Sequence, residues 1–67
     1  MNDQHPSLHV GDRVTLNDPK HFDTPQSLVI TGIMWDPNSG DWFATATDPQ
    51  LRRSVFRRIT WFTPGWP

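Results

Sequence analysis

Apolar and polar positions in this chain alternate, and nowhere do they recur at helical spacing. In HVGDRVTLN, Val10, Val14 and Leu16 fall on one side of an extended backbone, with Arg13 and Thr15 on the other. That is the pattern of a half-buried strand, and Gly11-Asp12 suits a turn or bulge at its start. The next segment, DPKHFDTPQ, holds two prolines and two aspartates and predicts a long loop, with Phe22 tucked back as a plug. From Ser27, SLVITGIMW is β-branched and apolar on both faces. It predicts the central, most buried strand, bent at Gly32.

DPNSGD then supplies a strong turn signal. Beyond it Trp42, Ala44 and Ala46 alternate with Phe43, Thr45 and Thr47. Residues 27–48 therefore predict a β-hairpin with Trp35 and Trp42 paired across it, an arrangement that stabilises a fold more often than it binds. Asp48-Pro49-Gln50 predicts a second turn, and residues 51–56 a fourth strand. No segment carries ten residues of 3.6-residue apolar period, so no α-helix is expected.

Two stretches in order, LHVGDRVTL (residues 8–16) and SVFRRITWFTP (residues 54–64), resemble the opening and ending of small SH3-like barrels. Such barrels have a long first loop, a central hairpin, and a short strand leading through one 3₁₀ turn into a last short strand. The resemblance implies an all-β fold, a small SH3-like barrel of about five antiparallel strands without α-helix. It places the 3₁₀ turn near residues 57–60 and the closing strand at 61–63. The expected organisation is a flexible lead-in at 1–9, one barrel at 10–64 and a tail at 65–67. There is no Gly-rich KOW-type signature and no recognisable tudor-type aromatic cage.

A chain of 67 residues has room for one core and buries only about 60% of its unfolded surface. No cysteine is present, which excludes disulfides and thiolate metal sites. No apolar run approaches a membrane span, and MNDQHPSLHV lacks the basic and apolar regions of a signal peptide. A soluble, cytoplasmic protein is expected. Four tryptophans and four phenylalanines are many for this length. A homodimer that covered some of them would supply the missing core.

The net charge of −1 conceals an asymmetry. Residues 1–48 carry all seven acids, every one an aspartate, against Arg13 and Lys20; residues 49–67 carry four arginines and no acid. Such a split marks either a polyanion-binding face or arginines that pair with aspartates across the fold or a dimer. On a strand, Arg53, Val55 and Arg57 would share one face and Arg52, Ser54 and Phe56 the other. The candidate binding residues are thus Arg52, Arg53, Phe56, Arg57, Arg58, Trp61 and Trp66. The plainer reading is an edge strand kept unpaired by charge. Trp61 is expected to close the core or a subunit contact, and Trp66 either packs back on the barrel or anchors a partner.

No chemistry of catalysis is legible. Glutamate and tyrosine are absent and no phosphate-binding glycine loop occurs. His5, His9 and His21 read as solvated surface side chains rather than metal ligands, and neither a metal nor a cofactor is expected. The plasmid-encoded type II dihydrofolate reductases are SH3-like barrels of similar size with a tetrameric pore. The stretch comparable to their V-Q-I-Y strand, Ser54-Val55-Phe56-Arg57, lacks the Gln and the Tyr.

Composition leans towards docking, because interfaces favour Trp and Arg and disfavour Lys and Glu. The expected function is a non-catalytic module that docks a protein partner or itself through the C-terminal Arg/Trp/Phe surface. Nucleic-acid binding through Arg52–Arg58 is the alternative, and a pore-type oligomeric enzyme a more distant one. On the docking reading, joint replacement of Arg57 and Arg58 by alanine leaves the fold intact.

Overall fold

The computed structural model describes residues 7–66. Five antiparallel strands form one sheet: β1 (Arg13–Leu16), β2 (Gln26–Asp36), β3 (Asp41–Thr47), β4 (Ser54–Arg58) and β5 (Phe62–Pro64). Their order across the sheet is β4-β3-β2-β1-β5, so β4 and β5 are its edges. A single 3₁₀ turn, Ile59–Trp61, links them. No α-helix occurs among the described residues, and none of them forms a helix long and apolar enough to cross a membrane.

The hairpin of β2 and β3 follows the alternation read from the sequence. Trp35 pairs with Trp42 and Ile33 with Ala44, and the two indole rings meet edge to face at 5.5 Å. The turn is held by Asp36, whose carboxylate accepts from the Asn38 amide at 3.1 Å and the Ser39 hydroxyl at 2.9 Å. Its carbonyl accepts from the Gly40 amide at 2.8 Å, and Gly40 takes φ +68, which suits a residue without Cβ. The register slips between Ile30 and Gly32, leaving Thr31 as a bulge. Strand β2 therefore bends where Gly32 predicted, its first half pairing β1 and its second half only β3.

Nine of the described side chains make the core: Leu8, Val14, Leu16, Leu28, Ile30, Ala44, Ala46, Ile59 and Phe62. Phe22 packs against them, as expected of the loop plug. Two expectations need correction. Val10 is 62% exposed rather than on the core face. The chain turns at His9–Asp12, where the Asp12 amide donates to the His9 carbonyl at 3.0 Å and Gly11 takes φ +96, so the alternation breaks before β1 begins. Leu8, within the expected lead-in, fills the core instead, while residues 1–6 of that lead-in and Pro67 of the tail lie outside the described residues. Strand β2 is central but buried only in its first half; Met34 and Trp35 are exposed.

Candidate functional site

The four C-terminal arginines do not form one stripe. Residues 48–53 make a tight loop because the Asp48 carboxylate accepts from the amides of Gln50 and Leu51 at 2.8 and 3.2 Å. The Arg52 amide donates to the Asp48 carbonyl at 2.7 Å, and Arg52 takes φ +59. Strand β4 consequently starts at Ser54, three residues later than the composition suggested. Arg52 and Arg53 are exposed in that loop, and their side chains make no ion pair among the described residues.

Within β4 the alternation assigns opposite roles to neighbours. Val55 and Arg57 pair with Ala46 and Ala44, whose side chains are buried, and so face inward. Arg57 reaches the loop between β1 and β2, where its Nε donates to Asp18 Oδ2 at 3.0 Å. Asp18 is only 3% exposed. It also bonds His21 Nδ1 at 3.0 Å, and its carbonyl accepts the amides of His21 and Phe22. Burial by itself would raise the Asp18 carboxyl. The hydrogen bonds and charges of His21 and Arg57 outweigh it and hold the group below its ordinary value of 3.8. Arg57 is thus tied into the fold through Asp18 rather than standing free on the surface, and its removal is expected to cost stability.

The same guanidinium donates through Nη1 to the Phe56 carbonyl at 2.9 Å. It occupies a backbone acceptor of the edge strand that another chain would otherwise use. At the opposite edge, β5 ends in Pro64, which offers no amide. The edge strands β4 and β5 are therefore blunted, while the second half of β2 is paired on the β3 side alone.

Outward from β4 stand Ser54, Phe56 and Arg58. Phe56 stacks on Phe43 with ring centroids 5.1 Å apart and planes 10° from parallel. Met34 lies directly across from Phe43 on β2. Arg58 sits 5.5 Å over the Phe43 ring and bonds Asp41 Oδ2 at 2.7 Å. The Trp42 amide and the Arg58 guanidinium together lower the Asp41 carboxyl. The result is an apolar cluster on the outer face of β2, β3 and β4, with Met34 53% and Phe56 49% exposed. Sequence reading missed Met34 and Phe43 as members. Their signal was present: the predicted hairpin register places them side by side on the face away from Ala44.

The two C-terminal tryptophans lie elsewhere. Trp61 does not close the core, because Ile59 and Phe62 on either side of it do so. It stands 43% exposed over a cleft of about 450 Å³ lined by Asn17, Asp18, Pro19, Lys20 and Thr60, on the Asp18 side of the sheet. Trp66 packs back. Its indole Nε1 donates to the Leu28 carbonyl at 2.9 Å and Arg13 covers its ring at 4.8 Å. Gly65 makes this return at φ +89, with its amide on the Arg13 carbonyl at 2.8 Å. A Trp66→Phe variant is expected to lose about 1 kcal/mol in urea unfolding, the net worth of one such hydrogen bond. Unchanged stability would show that the contact contributes nothing.

Among the described residues no three His, Cys, Asp or Glu gather as a metal site. His21 is bonded to Asp18 rather than merely solvated, and the His9 amide donates to Asp12 Oδ2 at 2.8 Å. His5 lies outside the described residues. Comparison with family models, with curated proteins and with solved structures finds no match for the chain.

Proposed function

We propose that this chain is a small non-catalytic binding module of SH3-like kind that docks a protein through the outer face of β2, β3 and β4. The observation that carries the reading is the exposed Met34–Phe43–Phe56 cluster, with Arg58 over one end and the loop of Arg52 and Arg53 beyond the other. Aromatic residues, Met and Arg are the types that interface centres concentrate. The long first loop, the central hairpin and the 3₁₀ turn before a short last strand support the SH3-like kinship.

A protein is favoured over a nucleic acid because Arg57 and Arg58 already face carboxylates. Phosphate binding draws on cations free to displace counterions, and this cluster retains two of its four. The blunted edge strands β4 and β5 favour docking on the face over addition of a strand to either of them. The complementary partner offers an apolar side chain flanked by carboxylates.

Selection of displayed peptides on the immobilised domain tests this reading. Enriched peptides should carry an aromatic or aliphatic residue between acids. Phe56→Ser should weaken them about tenfold or more, while Trp61→Ala, on the other side of the sheet, should not. Peptides indifferent to Phe56→Ser would overturn the assignment. So would salt-sensitive binding of a single-stranded oligonucleotide that Arg52→Ala with Arg53→Ala abolishes.

A further inference from the structure

This inference rests on the docking reading above and names its occupant. We infer that the outer face binds a second copy of this chain, the two sheets packing face to face about a twofold axis over the Phe43–Phe56 stack.

The arrangement of charge along β3 carries it. At one end of β3 the hairpin tip holds Asp36 and Asp41, and Arg58 answers one of these two carboxylates. At the other end the loop holds Arg52 and Arg53, with Asp48 as its one acid. The tip is net negative and the loop net positive. Between them, near the middle of β3, lie Thr45 and its partner Phe56, with Phe43 stacked alongside.

A half-turn about an axis that lies between the two faces and crosses β3 at right angles exchanges the two ends. The cationic loop of one copy then lies over the anionic tip of the other, twice per dimer, while Met34, Phe43 and Phe56 meet their counterparts at the centre. A half-turn about an axis running along β3 instead sets loop over loop and tip over tip, which like charge opposes. The surface is thus complementary to itself in one orientation, as an isologous interface requires.

Two further features fit a second copy. Pairing through the edge strands β4 and β5 is hindered by Arg57 on the Phe56 carbonyl and by Pro64, which favours the face over those edges. The core is also thin: two of its nine side chains are alanines, and both belong to β3, the strand beneath this face. Covering the far side of that strand supplies burial that one small chain lacks.

Sedimentation velocity of the whole chain, from low micromolar to millimolar concentration, tests the inference. A monomer–dimer equilibrium is expected that weakens severalfold as salt rises. Phe56→Ser should weaken it at least about tenfold. Arg52→Asp with Arg53→Asp should do the same without touching the aromatic cluster, and Trp61→Ala should leave it unchanged. In a mixed-label sample, filtered NOEs should connect the Met34 methyl to the phenylalanine rings of the other copy. A monomer at every concentration overturns the inference and leaves the peptide-docking reading standing. A dimer insensitive to both the Phe56 and the arginine variants, or one whose NOEs fall around Trp61, overturns it as well.

Discussion

Replacing Arg57 by alanine is expected to lower the melting temperature by roughly 10 °C, because removing one partner of a buried ion pair leaves the other charge desolvated and uncompensated. The charge left behind is Asp18, a buried member of the loop between β1 and β2 that retains, among the described residues, the exposed His21. Arg58→Ala is expected to melt within a few degrees of the parent, since the Arg58–Asp41 pair is solvated. Adjacent arginines would then differ sharply in their effect on stability.

The same pair fixes a pH dependence. Asp18 titrates lower in the folded chain than its ordinary 3.8. The unfolded chain therefore takes up the proton first as the pH falls. The stabilisation is complete above the unfolded value and is lost as the pH drops through the folded one. Urea midpoints measured from neutral pH to below pH 3 should fall in that acid window, and Asp18→Asn should flatten part of the fall. Equal acid sensitivity in the parent and in Asp18→Asn would show that the carboxylate is not linked to folding.

The other large effect lies in the core. Ile30→Ala is expected to cost about 3 kcal/mol in urea unfolding. A domain of this size has roughly 3–10 kcal/mol in total, so most of its stability is at stake. Ile30 is 1% exposed, pairs with Ala46, and donates its amide to the Asp12 carbonyl at 3.0 Å. Ile33→Ala, three residues on, removes a half-buried side chain and should cost clearly less. Equal costs would mean that the bulge at Thr31 does not divide β2 into a buried half and an exposed half.

What was legible in the sequence is what local chemistry decides. DPNSGD fixed the turn, alternation fixed which face of β3 carries Ala44 and Ala46, and together they set Trp35 opposite Trp42. What could not be read was any feature settled by a distant partner. Arg57 meets Asp18, thirty-nine positions earlier, and nothing near either residue announces the pair. Charge asymmetry between the two parts of the chain was a genuine signal, and the fold uses it: Arg57 and Arg58 meet aspartates supplied by the acidic part. The 3₁₀ turn and last strand fell a residue or two later than expected, because the Asp48 side chain lengthens the preceding loop. That Asx contact was legible in principle, since Asp-Pro followed by polar residues invites it.

The pairing of β1 with β5 joins Val14 to Pro64 and so spans most of the chain. Its consequence is kinetic. The β2–β3 hairpin, closed by a tight turn, forms on the scale of microseconds. The clasp between β1 and β5 must wait for a loop of nearly the whole domain to find its ends, and such non-local pairing is the slow step of β-rich folding. Until it shuts, Leu16 and Phe62 are not yet paired, and the early hairpin lacks a finished core to lean on. The molecule is therefore assembled from its middle outward, with both flanks arriving together at the last moment.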